Sequence, residues 1–87
     1  MNTISDKPAL SRLFRMQWEE AQHCYVLLYP EGMVKLNESA AEILKRCDGR
    51  HTAPAIVAEL EQAFACGNLH DDVDDFLRAA SERGWLV

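Results

Sequence analysis

The stretch Val26–Leu44, VLLYPEGMVKLNESAAEIL, holds an apolar strand, a tight turn, a short second strand and a capped helix with no spare linker between them. Cys24–Tyr29 is uninterrupted apolar and rich in strand formers, which suits a central strand buried on both faces. In the turn Tyr29-Pro30-Glu31-Gly32, proline fixes the first turn angle and glycine stands where the chain exits. Met33–Leu36 then returns as a third strand, with Val34 and Leu36 on one face and Lys35 on the other. Asn37 is the expected helix N-cap, with Glu38 near the positive end of the dipole. Ser39 and Glu42 offer a competing capping box, but Leu36 and Ala41 occupy the hydrophobic-staple positions around Asn37 and favour it. Ala40, Ile43, Leu44 and Cys47 fall on one stripe, and Asp48-Gly49 is read as the helix end.

Working outward toward the N-terminus, Glu19–His23 is a polar connection. Leu13–Trp18 alternates so that Phe14, Met16 and Trp18 share one face of a first strand. Met1–Ser11 lacks periodicity and reads as a loose arm, so residues 1–12 are taken as flexible and 13–87 as the domain. Toward the C-terminus, Thr52 and Pro54 start a second helix whose Ile56, Val57, Leu60, Ala63 and Phe64 repeat at helical spacing until Gly67. A third helix opens in the acidic run Asp71, Asp72, Asp74, Asp75, buries Val73, Phe76, Leu77 and Ala80, and closes at Gly84. Trp85 then folds back near Ala80 as a core lock. Short loops join these elements, so the expected fold is α+β and winged-helix-like: a three-stranded antiparallel sheet followed by a three-helix bundle.

Composition narrows the function. A chain of 87 residues is one domain that buries only about 60% of its unfolded surface. Fourteen acidic residues against nine basic give a net charge of -5, which repels phosphate backbones and argues against nucleic acid. Three cysteines without a CxxC pair argue against a disulfide framework and for a reducing, cytoplasmic setting. No apolar run approaches the ~20 residues of a membrane span, and the N-terminus lacks the pattern of a signal peptide.

The leading candidate site is the open edge of Met33–Leu36, because an unpaired strand leaves a row of N–H and C=O groups that either needs protection or accepts another strand. Two Cys-x-x-x-His pairs, Cys47 with His51 and Cys66 with His70, have a spacing loose for zinc, and Cys47 sits on an apolar stripe where cysteine acts as a small core residue. His23 beside Cys24 in a strand points to the opposite face, a poor nucleophile–base pair. Phosphate-loop, serine-hydrolase and radical iron–sulfur motifs are missing from the sequence, so neither catalysis nor a cofactor is expected. The acidic run is explained by stabilisation of a helix start, although it is also placed to meet a basic partner. Two rival classes remain. A winged-helix DNA-binding regulator would need basic residues that the second helix lacks and the third has only at Arg78 and Arg83. A dimerisation module would pair arm or edge between two chains, making a homodimer.

The stretches FRMQWEEAQ, YVLLYPEGMVKLNESAAEILKRCDG, IVAEL and DVDDFLRAASERGWL closely resemble the PqqD family of pyrroloquinoline quinone biosynthesis, in uninterrupted order from Phe14 to Leu86. The resemblance implies a non-catalytic peptide chaperone, a leader-peptide recognition element that binds the precursor peptide PqqA and presents it to the radical S-adenosylmethionine enzyme PqqE. It also implies that the peptide lies as an added strand along Met33, Val34, Lys35 and Leu36, against a groove whose third-helix side holds Asp72, Asp75, Phe76, Ala79 and Arg83.

Overall fold

The computed structural model of the chain describes residues 6–87. In chain order its elements are β1 (Arg15–Glu19), a 3-10 turn (Glu20–Gln22), β2 (Cys24–Tyr29), β3 (Gly32–Lys35), α1 (Glu38–Lys45), α2 (Ala53–Ala63) and α3 (His70–Glu82). The strands form one antiparallel sheet in the order β1-β2-β3, so β2 is central and both flanking strands are edges. This is the expected α+β arrangement of a small sheet followed by three helices.

Register decides which side chains reach the helices. Met16, Leu27 and Val34 lie opposite one another across the sheet, and all three belong to the core or pack against it. Side chains alternate along a strand, so Arg15, Gln17, Val26, Leu28, Met33 and Lys35 occupy the outer face. Val26 and Leu27 are both fully buried, which accounts for the unbroken apolar run of β2. Under the sheet, Leu36, Ile43, Leu44, Ile56, Leu60, Val73, Leu77 and Trp85 make one core.

Local chemistry sets the helix ends. Asn37 Oδ1 accepts a hydrogen bond from the Ala40 N–H at 2.8 Å and Thr52 Oγ1 from the Ala55 N–H at 3.2 Å, so both expected caps form. Ser39 does not compete; its hydroxyl donates to Asn37 Oδ1. At the end of α3, the Trp85 N–H donates to the Ala80 carbonyl and the Gly84 N–H to that of Ser81, with Gly84 at φ 80°. These are the two bonds of a Schellman ending, and Trp85 is buried there as expected.

Four expectations need correction. The first strand begins two residues later than its alternation suggests, because the Phe14 N–H closes a turn onto the Ser11 carbonyl, leaving Leu13 67% exposed. The first helix ends at Lys45, and Cys47 reaches the core from the following loop. The second helix stops at Ala63 because Ala65 and Asn68 take positive φ, and Ala63 and Phe64 are exposed. The arm is not loose over its second half. Ala9 exchanges two main-chain bonds with Val87, Leu10 donates to Cys47, Ser11 to Trp85 and Gly49 to Pro8, while Pro8 is fully buried. Residues 1–5 of that arm lie outside the described residues. Among the described residues, no helix is long and apolar enough to cross a membrane.

Candidate functional site

The hydrogen-bond phase of β3 follows from one bond: the Leu36 N–H donates to the Tyr25 carbonyl at 2.9 Å. In an antiparallel ladder, residues alternate between bonding the neighbour and facing away. Leu36, Val34 and Gly32 therefore bond to β2, whereas Met33 and Lys35 turn both N–H and C=O to the open side of the sheet. Among the described residues no further strand pairs there. The side chains divide the same way. Val34 packs inward, Leu36 is buried beneath the sheet, and Met33 (47% exposed) and Lys35 stand on the outer face.

Just beyond this edge, where β3 passes through Asn37 into α1, an open cleft of about 660 Å³ lies between the three helices. Ala40 and Ile43 line it from α1, Leu60 and Phe64 from α2 and its end, and Leu69, Val73 and Phe76 from α3 and its start. This loop and helix start depend on Glu61, whose carboxylate accepts from the Leu69 N–H at 3.1 Å, because α3 lacks a capping side chain of its own. Asn37, Glu38, Ser39, Glu42, Cys66 and Asp72 also line the cleft.

The mouth is negatively charged. Glu42 is compensated, with Arg46 and Lys45 nitrogens each 3.0 Å from its carboxylate oxygens. These bonds, Arg46 first, hold its pKa below the ordinary value, and the same carboxylate raises that of Lys45. Glu38 and Asp72 make no ion pair among the described residues. An apolar floor under uncompensated carboxylates suits a large apolar side chain flanked by a cation.

Of the nine residues named from sequence, Met33, Val34 and Lys35 lie in β3, which runs one residue earlier than the expected Met33–Leu36; Leu36 follows it, bonded to Tyr25 and buried, and Asp72 and Phe76 line the cleft. Asp75, Ala79 and Arg83 do not line it; the Arg83 guanidinium lies over the Trp85 ring at 5.5 Å. Sequence reading passed over Ile43, Leu60, Phe64 and Leu69 as cleft walls. Phe64 carried the one available signal, a large aromatic at the end of a helix with glycine and asparagine close behind.

Of the two cysteine–histidine pairs, Cys47 and His51 are otherwise engaged, while Cys66 is exposed. Burial, and then the nearby Asp48 charge, push the Cys47 thiol up to about 12, and its Sγ donates to the Ile43 carbonyl. His51 places Nδ1 2.9 Å from Asp48 Oδ1 and Nε2 2.6 Å from Glu59 Oε2, bridging the α1–α2 loop to α2. Among the described residues, no group of three or more histidine, cysteine or acidic side chains is placed to hold a metal.

Residues 24–86 match the family model described as coenzyme PQQ synthesis protein D (PqqD). A PqqA binding protein of Azotobacter vinelandii is 54% identical over 97% of this chain and 92% of its own length. One of Methylococcus capsulatus is 52% identical over 88% of this chain and 83% of its own. The solution NMR structure of the PqqD truncation of Methylobacterium extorquens PqqCD, described as a functional and stand-alone recognition element for ribosomally synthesized, modified peptides, superposes with a TM-score of 0.75. It is 28% identical, and the match covers all of this chain and 95% of that one.

Proposed function

The chain belongs to the PqqD family, and from that premise we propose that it is a non-catalytic adaptor that binds the precursor peptide PqqA and presents it to the radical S-adenosylmethionine enzyme PqqE. The peptide adds as a fourth strand beside β3 and sends a large apolar side chain into the cleft between the helices. The observation that carries this reading is the outward main chain of Met33 and Lys35 on an unpaired edge. The names of the relatives as PqqA binding proteins supply the ligand.

Magnitudes favour joint use of edge and cleft. Met33 and Lys35 together offer four main-chain bonds, each contributing about 0.5–1.5 kcal/mol net. Ordering a disordered peptide costs about 2–5 kcal/mol, so the edge alone comes close to cancelling. One large apolar side chain buried in the cleft adds about 1.5–3 kcal/mol and decides the sign. The adaptor then supplies effective concentration, and the enzyme supplies the chemistry.

Amide NMR of labelled protein titrated with PqqA tests the reading. Shifts concentrated at Met33–Leu36 and around the cleft are expected; shifts clustered at residues 54–65 with Met33–Leu36 silent would overturn it. The isolated protein with peptide and S-adenosylmethionine is expected to give no product.

A further inference from the structure

Charges of opposite sign mark the two ends of the path from β3 to the cleft. Lys35 is exposed on the outer face of the sheet and makes no ion pair among the described residues. On the closed side its cross-strand partner is Val26, buried and uncharged, and that of Met33 is Leu28. An added strand on the open side therefore supplies the one further residue that stands directly opposite Lys35 on the same face, with about 5.5 Å between Cα atoms. Beyond Leu36 the sign changes. Glu38 of α1 and Asp72 of α3 line the cleft mouth, both exposed and neither ion-paired among the described residues. Glu42 lines the same cleft but is neutralised by Lys45 and Arg46.

We propose that edge and mouth read a charge order in the bound peptide: an acidic residue paired with Lys35, and a lysine or arginine met by Glu38 and Asp72, with the large apolar side chain that enters the cleft between them. This charge order rests on the reading of β3 as the peptide edge and adds to it which segment of the peptide binds and in which register. Strand alternation sets the pattern. The residue opposite Lys35 points outward, where Lys35 itself stands. Its neighbour beside Leu36 points inward, to the side on which the cleft opens, and the cation follows that neighbour toward the mouth. The residue opposite Met33, also on the outer face, meets a thioether and an exposed apolar stem, so a charge gains nothing there.

Main-chain bonds alone cannot choose among registers, because every peptide residue except proline offers the same N–H and C=O. The charges can. A slip of one residue turns the acid inward and the apolar side chain out to solvent. A slip of two sets the acid opposite Met33, or carries it past the end of β3 toward Glu38. Reversing the order of the charges places like signs together at both ends, which is unfavourable twice. The whole molecule adds to this bias: its net charge of -5 attracts the peptide's cation and disfavours its acid everywhere except beside a local cation such as Lys35.

Calorimetry of the full chain with PqqA at low salt is the test, since screening weakens exposed pairs. In the peptide, each acidic residue is replaced by lysine and each basic residue by glutamate, one at a time, which leaves the folding of the protein untouched. One acid-to-lysine peptide is expected to bind the wild type about fivefold more weakly and to regain its affinity with Lys35→Glu, which itself binds unaltered PqqA about fivefold more weakly. One basic-to-glutamate peptide is expected to lose as much against the wild type and much less against Glu38→Gln/Asp72→Asn. Amide shifts in the same titrations separate two kinds of failure. Shifts retained at Met33–Leu36 with no peptide rescued by Lys35→Glu overturn the charge order and leave the peptide edge standing, whereas shifts missing there overturn both. A scan in which no peptide charge alters the affinity for the wild type overturns the proposal whatever the protein variants do.

Discussion

His51 Nε2 lies 2.6 Å from Glu59 Oε2, and this contact ties the loop after α1 to the exposed side of α2. The other ring nitrogen faces Asp48, so a protonated imidazolium is held between two carboxylates. Asp48, principally through its bond to His51 and then through the Arg50 N–H, is lowered to about 2 from an ordinary 3.8, while Asp48 first and Glu59 second raise His51 above 6.5. A histidine raised on folding contributes stability that is complete below about 6.5 and fades as pH climbs through the folded value. An aspartate lowered on folding contributes above 3.8 and loses its contribution between 3.8 and about 2. Both contributions coexist between those limits. The melting temperature of the wild type is therefore expected to fall from pH 6 to pH 8 relative to that of His51→Gln; parallel curves would remove His51 as the cause.

The phase of β3 separates two proline substitutions that look alike in sequence. Lys35 turns its N–H outward, so Lys35→Pro leaves the ladder to β2 intact and removes one donor from the peptide edge. Calorimetry is expected to give a roughly fivefold weaker PqqA affinity, about 1 kcal/mol, with an unchanged helical circular dichroism signal. Val34→Pro instead removes a bond inside the sheet and is expected to lower the melting temperature markedly. Equal effects of the two on stability would mean that the assigned phase is wrong.

The strap formed by Pro8–Ser11 makes the start of the chain part of the fold. It bonds to the main chain at Cys47 and Gly49 after α1, and at Trp85 and Val87 after α3, closing two distant loops. Truncation of residues 1–11 is expected to cost about 1 kcal/mol in chemical denaturation, since five main-chain bonds at about 0.5–1.5 kcal/mol each nearly offset an ordering cost of about 1–2 kcal/mol for each of four residues, and burial of Pro8 and Leu10 tips the balance toward the folded strap. A truncated protein as stable as the full chain would show those bonds to be energetically idle.

What was legible in the sequence was what short-range chemistry dictates. Asn37 and Thr52 cap because their side chains reach three residues along, Gly84 ends α3 because glycine takes positive φ freely, and Trp85 follows from that ending. The run Cys24–Tyr29 announced a strand covered on both sides, and Met33–Leu36 an edge strand to within one residue of the observed Gly32–Lys35. The strap was illegible because its partners are some 40 and 75 residues away, and polar composition says nothing about main-chain bonds made at that range. The end of α2 was misplaced for a different reason: Ala65 at φ 51° gives no compositional warning, while Gly67 nearby does and is not the residue that turns. The cleft suffered from both problems, since its walls come from three helices and the exposure of Phe64 depends on where α2 stops.

Phe64 and Phe76 separate binding from folding within that cleft. Phe64 is 49% exposed and therefore carries little of the core, whereas Phe76 packs against the core and tilts toward Trp85 at 6.4 Å. Phe64→Ala is expected to leave the unfolding free energy within about 1 kcal/mol of wild type while weakening PqqA by about 1 kcal/mol or more, because it removes one wall of the apolar floor without emptying the interior. Phe76→Ala is expected to reduce both quantities, with a cost in stability above that of Phe64→Ala but below the range of about 3–5 kcal/mol for a fully buried aromatic, because Phe76 is half-buried at the cleft wall. Paired calorimetry and urea titrations on the two variants check this split, and a Phe64→Ala protein that binds PqqA with wild-type affinity would exclude the cleft from the peptide's path and leave the β3 edge to account for binding alone.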